Sequence, residues 1–330
     1  MASIPQTQTA LQINRTGGPE VLELNPSAPV STPGDNQILV KNTYAGVNYI
    51  DTYFRSGLYP PSPLPYTLGR EGEGTVVSVG SGVTDFKVGD YIGYTGLNAQ
   101  AEFTLVDPTM AIKVPDGIQP GITAAALIQG LTALTLIRES YEVKKGDAIL
   151  VHAAAGGVGL WLLQLLRMAG AGTIIATAST AEKLELAAKN GATHGINYTT
   201  EDWVARVKEI TGGAGVIAVF DGVGASTFEG DLEVLARKGT LASFGNASGP
   251  VPPFSISRLA AKNLKVLRPT LFNYVHTKEE FTTYSQELLN LIKDNKVDVR
   301  IHKVYELADA LQVHKDIEGR GTTGKLLYKL

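Results

Sequence analysis

Apolar and polar positions change their period three times along this chain. Up to about residue 120 the pattern is short and alternating. Ala10–Asn14, Gln37–Tyr44, Gly74–Val79, Val88–Gly93 and Ala101–Val106 are β-rich runs separated by glycine, proline and serine. Such spacing predicts short strands, packed as a compact, partly closed barrel. Tyr59–Pro65 holds four prolines and is predicted as extended loop, because proline disfavours helix and ladder alike.

From about Gly121 the period lengthens. Ile122–Tyr141 carries apolar residues at helical spacing. Strand and helix then alternate through Ala148–His152, Leu160–Met168, Thr173–Ala178, Ala181–Asn190, Gly195–Asn197, Glu201–Thr211, Val216–Asp221, Thr227–Ala236 and Thr240–Phe244. That alternation predicts a parallel, doubly wound sheet with helices on both faces. Ser179-x-x-Glu182 and Ser226-x-x-Glu229 read as capping boxes at two helix starts. Beyond Lys265 the texture changes again, to a polar helix Lys278–Asp294, a helix Ala308–Glu318 and a closing strand Gly324–Leu330. The expected fold is therefore α/β with two domains: residues 1–125 with 267–330, and residues 126–266.

Composition narrows the function classes. The chain has 330 residues, beyond the usual size of one core. Its net charge of −3 gives no reason to expect nucleic acid or an anionic membrane. The opening Met-Ala-Ser-Ile-Pro-Gln-Thr-Gln has no basic or apolar leader region, so no secretory signal is expected. The apolar run after Gly159 is the longest seen, is interrupted by Gln164 and Arg167, and is too short to span a bilayer. With no cysteine, disulfides, thiolate chemistry and Cys-ligated zinc are excluded, and a cytoplasmic protein is expected.

The chemistry centres on His152-Ala-Ala-Ala-Gly-Gly-Val-Gly159. An apolar strand precedes it and an apolar helix follows. A strand entering a helix through a turn of small residues can bring bare backbone and helix N–H groups to a pyrophosphate. In the G-x-G-x-x-G pattern the three positions are Ala154, Gly156 and Gly159, with alanine in place of the first glycine. About twenty residues on, where an NAD site carries an acid for the ribose 2′-hydroxyl, stand Ser179 and Thr180, with Lys183 one turn later and Tyr198 after the third strand. Hydroxyls and an ammonium attract a 2′-phosphate, so NADPH is the expected cofactor. A plainer reading makes Ser179 an N-cap and Lys183 a solvated helix residue. His152, ending a buried strand, is read as a satisfied core residue. No G-x-S-x-G nucleophile elbow is present.

Gly69-Arg-Glu-Gly-Glu-Gly74 is shaped like the Gly-His-Glu segment of zinc-dependent alcohol dehydrogenases. Arg70 stands at the metal ligand's place and is expected in a structural ion pair. No metal is expected, since zinc needs imidazole or thiolate ligands.

Gly46-Val-Asn-Tyr-Ile-Asp-Thr-Tyr-Phe-Arg-Ser-Gly-Leu-Tyr59, His152–Gly159, Ile196-Asn-Tyr198, Ile210-Thr-Gly-Gly213 and Ser243-Phe-Gly-Asn246 together resemble the zinc-free NADPH:quinone oxidoreductases. These are the zeta-crystallin-like branch of the medium-chain dehydrogenase/reductases. The resemblance runs the length of the chain and implies a GroES-like barrel domain plus a Rossmann domain. It implies that Asn48, Asp51, Tyr53 and Tyr59 form the catalytic, substrate-side group, with Asn48 also touching the cofactor. It implies cofactor contacts from Thr132, from Ala155, Gly156, Gly157 and Val158 at the pyrophosphate, and from Ser179, Lys183 and Tyr198 at the 2′-phosphate. Phe244, Asn246, Arg268, Leu271, Phe272 and Lys325 would lie toward the nicotinamide. Gln129 and Thr200 stand where relatives often carry basic residues.

The implied reaction is reduction of a quinone by NADPH, as hydride or one electron at a time, with Tyr53 or Tyr59 as hydrogen-bond or proton donor. A second reading is a double-bond reductase for alkenals or enones. A third is an AU-rich RNA-binding protein, which no basic run or aromatic platform favours. The resemblance also implies a homodimer joined through Leu264–Leu267 at the Rossmann sheet edge.

Overall fold

Val151 and its neighbours make the centre of one sheet because Ala148–Val151 is wholly apolar; Ile149, Leu150 and Val151 are fully buried. In the computed structural model, which describes residues 4–330, this strand pairs in parallel with Thr173–Ala178 on one side and Val216–Asp221 on the other. The sheet continues outward to His194–Asn197 at one end, and through Leu235–Ser243 to Lys265–Leu267 at the other. Numbered within the sheet, the order is 3-2-1-4-5-6, the doubly wound arrangement whose winding reverses beside the first strand. Of the stretch Met1–Gln8, in which no leader is expected, the first three residues lie outside the described ones.

The chain divides into two compact units. One comprises the described residues up to Ile128 with Val275–Leu330; the other is Gln129–Tyr274, which contains the parallel sheet. The first unit has a mixed seven-stranded sheet. Its spine is Ile38–Val47, paired antiparallel with Glu71–Val79, Phe103–Val106 and the closing strand Lys325–Lys329. A three-stranded antiparallel sheet, Leu22–Pro29, Thr7–Ile13 and Tyr66–Thr67, is bridged to the rest through Ala10 and Ala101.

Most predicted elements form within two or three residues of their expected bounds, and the differences have identifiable reasons. Tyr49–Ser56, in the region read as strands and loops, is a helix. Asn48 and Asp51 cap it reciprocally and Gly57 ends it at φ 87°. The helices at 181 and 228 have their N-cap residue one position later than predicted, and only the first has a side-chain cap. Thr180, not Ser179, accepts from the Lys183 amide. Thr227, not Ser226, precedes Phe228, and its hydroxyl is spent on Asp221. Adjacent hydroxyls make this one-residue ambiguity inherent to the pattern. Finally, Ile122–Ser140, not the run after Gly159, is the helix long and apolar enough to cross a bilayer by length and composition. Ala124, Leu127, Leu131 and Leu134 on it are buried inside the fold, which makes it a core helix.

Candidate functional site

The glycine turn sits at the switch point of the parallel sheet, beside the paired ends of Ala148–Val151 and Val216–Asp221, where the strand order reverses. Its backbone is fastened on both sides. The His152 amide donates to Phe220 O at 3.1 Å, and the Ala154 amide to Thr177 O at 3.1 Å. Ala153 adopts φ 49°, a left-handed conformation costing an L-residue about 1 kcal/mol. Its carbonyl accepts from the Gly156 amide at 2.8 Å.

The glycines divide by what they allow. A Cβ on Gly159 would lie 2.6 Å from the carbonyls of Ala153 and Ala154, and one on Gly157 would enter the Gln129 side chain. Both are required by packing of the protein itself. Gly156 caps the helix Gly157–Met168 with no side chain and so offers its first N–H groups no internal acceptor. A helix N-terminus bared in this way suits an anion, and Ala155, Gly156, Gly157 and Val158 line it. These residues fit a pyrophosphate.

Ser179 and Tyr198 directly follow the next two strands, and Lys183 lies in the first turn of the helix Ala181–Lys189. Ala178 pairs with Asn197 in the sheet, the Tyr198 amide donates to Ala178 O at 3.2 Å, and the Thr199 hydroxyl reaches Ser179 O. Tyr198 is exposed, and partial burial lowers the Lys183 pKa. No carboxylate stands at the expected ribose position in Ala178–Thr180. Thr200 is exposed beside them.

At the far side of the same sheet, Arg268 ties a loop together. It donates to Ser243 O at 2.6 Å, and the amide oxygen of Asn246 lies 3.0 Å from its guanidinium. The Phe244 amide bonds Asp221 O, and Phe244 packs where Gly222 leaves room for its ring. Leu271 and Phe272 follow on the short helix Leu271–Tyr274. Thr132 is half-buried on the core helix Ile122–Thr135.

In the first unit the expected residues form two groups. Asn48 and Lys325 are buried together: the Lys325 ammonium donates to Asn48 Oδ1 at 2.8 Å and pairs with Glu71, while Asn48 Nδ2 donates to Glu71 at 2.7 Å. Asp51 is fully buried. Its Oδ2 accepts from the Asn48 amide and from Gln100, each at 3.0 Å, and burial raises its pKa to about 6. Tyr53 and Tyr59 belong to an aromatic cluster, ring centres 5.2 Å apart, with Tyr49 edge-on to Tyr53. Tyr53 is nearly buried and Tyr59 half-buried. Arg70 lies over the Phe54 ring, its guanidinium 5.5 Å from the ring centre, and meets the Tyr66 hydroxyl.

Two glutamates that the sequence reading did not single out support this unit. Glu71 accepts from the Ile128 amide at 2.7 Å, and Glu73 accepts from the amides of Gly121 and Ala124 and from the Tyr91 hydroxyl. Both are fully buried. The only signal in the sequence was two acids two residues apart on one strand face, flanked by glycines. Among the described residues, no group of three or more His, Cys, Asp or Glu is placed to hold a metal ion.

The chain matches two family models. Residues 34–116 match the alcohol dehydrogenase GroES-like domain and residues 157–299 the zinc-binding dehydrogenase family. It is 46% identical over 319 residues to a probable quinone oxidoreductase of Schizosaccharomyces pombe, covering 96% of this chain and 95% of that one. It is 36% identical over 329 residues to a 2-haloacrylate reductase of a Burkholderia species, covering 96% and 98%. The crystal structure of Escherichia coli quinone oxidoreductase complexed with NADPH superposes with a TM-score of 0.95 at 42% identity, covering 98% of this chain and all of that one.

Proposed function

Since this chain belongs to the quinone oxidoreductase family of medium-chain dehydrogenases and reductases, we propose that it is an NADPH-dependent quinone reductase. The observation that carries the reading is the bare helix start at Gly156, set at the switch point of a 3-2-1-4-5-6 sheet. When bound, NADPH supplies a hydride, or single electrons, to an acceptor that is already electrophilic.

The chain's own residues bind, orient and donate. Ala155–Val158 would hold the pyrophosphate through backbone N–H groups, and Ser179, Lys183 and Tyr198 the 2′-phosphate. Phe244, Asn246, Arg268, Leu271 and Phe272 form a braced loop for the other end of the dinucleotide, with Thr132 on the core helix. Tyr53 and Tyr59 supply the hydroxyls suited to the reduced oxygen of a quinone. Asn48, tied to Lys325 and Glu71, and Asp51, spent on the Asn48 amide, act by fixing the geometry of the helix that carries Tyr53.

Purified protein should oxidise NADPH with 1,2-naphthoquinone or 9,10-phenanthrenequinone, and NADH poorly. Tight NADPH binding without turnover of any quinone would overturn the reading. The likeness to a 2-haloacrylate reductase favours a second acceptor class, activated alkenes, and turnover of 2-hexenal or 2-chloroacrylate alone would move the assignment there. An NADPH-consuming reductase suits a reducing compartment, and we place the protein in the cytoplasm. The outer strand Lys265–Leu267 ends the parallel sheet, an edge that a second copy would cover. A homodimer follows, and a monomer in sedimentation velocity at micromolar concentration would exclude it.

A further inference from the structure

At the foot of the glycine turn lies a buried polar cluster with no part in the reaction proposed above. His152 is 3% exposed and held at both ring nitrogens, by Thr177 Oγ1 at 2.9 Å and Asp231 Oδ1 at 2.8 Å. Trp203 closes it edge-on, ring centres 4.8 Å apart. Asp231 in turn faces Asp221, whose carboxylate accepts from the amides of Val223 and Gly224 and from the Thr227 hydroxyl. Burial alone would push the imidazole pKa down, but the Asp231 carboxylate overrides it and raises it. An apolar side chain would fill this space without the desolvation of ionisable groups, so packing gives no reason for the cluster.

Its connection to the turn does. We propose that His152 is a positioning residue for the cofactor's pyrophosphate, locking the turn in its bent form before any ligand arrives. Thr177 grips the His152 ring with its hydroxyl and the Ala154 amide with its carbonyl. Those two attachments bracket Ala153, whose left-handed backbone and exposed position persist only if both flanks are fixed. The Ala153 carbonyl binds the Gly156 amide and would lie 2.6 Å from a Cβ on Gly159. A shift of Ala153 therefore moves the helix start that meets the phosphates. A free His152 ring would let Ala153 relax and leave the N–H groups misaimed. The 2′-phosphate group, at Ser179, Lys183 and Tyr198, would be untouched.

This inference rests on the NADPH reading, and the test separates the two. Dissociation constants for NADPH and for adenosine 2′-monophosphate, which has no pyrophosphate, are measured on the whole protein. His152→Leu is expected to weaken NADPH on the order of tenfold or more while 2′-monophosphate binding stays within about twofold. Asp231→Asn, which keeps an oxygen to accept from the imidazole, is expected to retain most of the NADPH affinity. Equal weakening of both ligands, or no weakening, overturns the proposal. If His152→Leu does not fold, nitrogen-15 shifts of the wild-type His152 ring decide. One fixed ring state, unchanged by NADPH, supports a preset turn; an averaged ring, or one that reorients on NADPH, overturns it. A wild-type protein that binds no NADPH removes the cofactor reading itself, and this inference with it.

Discussion

The ammonium of Lys325 lies 2.8 Å from Asn48 Oδ1, a bond that joins positions 277 residues apart and ties the closing strand to the cap of the helix Tyr49–Ser56. Glu71 completes the group, and all three side chains are almost wholly out of water. Removing one partner of such a pair strands the other charge. Lys325→Met is expected to cost about 3–5 kcal/mol of stability. Adding Glu71→Gln, which keeps an acceptor for the Ile128 amide, should recover about 2 kcal/mol of that. Urea unfolding of the two single variants and the double variant measures the coupling; additive losses would show that the pair is not energetically linked.

Lys183 is expected to set cofactor preference. A charge-assisted bond to a 2′-phosphate contributes about 1.5–3 kcal/mol. Lys183→Ala should therefore lower kcat/KM for NADPH by roughly ten- to a hundredfold and leave the value for NADH nearly unchanged. Equal losses with both cofactors would assign Lys183 to the stability of its helix instead.

Asp51 gives a pH signature. Burial raises its folded pKa from 3.8 to about 6, so the folded state holds the proton more tightly than the unfolded state. The associated stability is fully present below about pH 3.8 and is lost as pH rises through 6. The shift corresponds to about 3 kcal/mol. Asp51→Asn cannot ionise, so its stability relative to wild type should rise by about that amount between pH 3.5 and pH 7. Comparing variant with wild type at each pH cancels the other titrating groups. A flat difference would mean that Asp51 is ionised at no cost.

The sequence was informative where the chemistry is local. The turn His152–Gly159, its flanking strand and helix, and the hydroxyls and lysine replacing a carboxylate all lie within one βαβαβ span, and the structure gathers them at one end of one sheet. The helix Tyr49–Ser56 was hidden because its capping pair is Asn48 and Asp51 rather than a serine or threonine with a glutamate, and its apolar residues follow directly from a strand. Glu71 and Glu73 were hidden for a different reason. An acid in a strand reads as solvent-facing until the helix amides that donate to it are known, and those come from about fifty positions later. Lys325 entered only through the family resemblance, since nothing near it in sequence names its partners.

Within the turn, the two packed glycines should respond differently to the same substitution. A Cβ on Gly157 meets the end of the Gln129 side chain, which can swing away. A Cβ on Gly159 meets the carbonyls of Ala153 and Ala154, which are fastened by the turn itself. Gly157→Ala should thus cost roughly 1 kcal/mol and be relieved by Gln129→Ala. Gly159→Ala should cost about 3 kcal/mol, with no relief from Gln129→Ala. NADPH affinity should follow the same order, because moving the Ala153 carbonyl also moves the Gly156 amide that it holds. Thermal unfolding and NADPH titration of the four variants check both. If Gly159→Ala were the milder change, the turn would have to be soft, and its backbone could not be what presents the helix N–H groups to an anion.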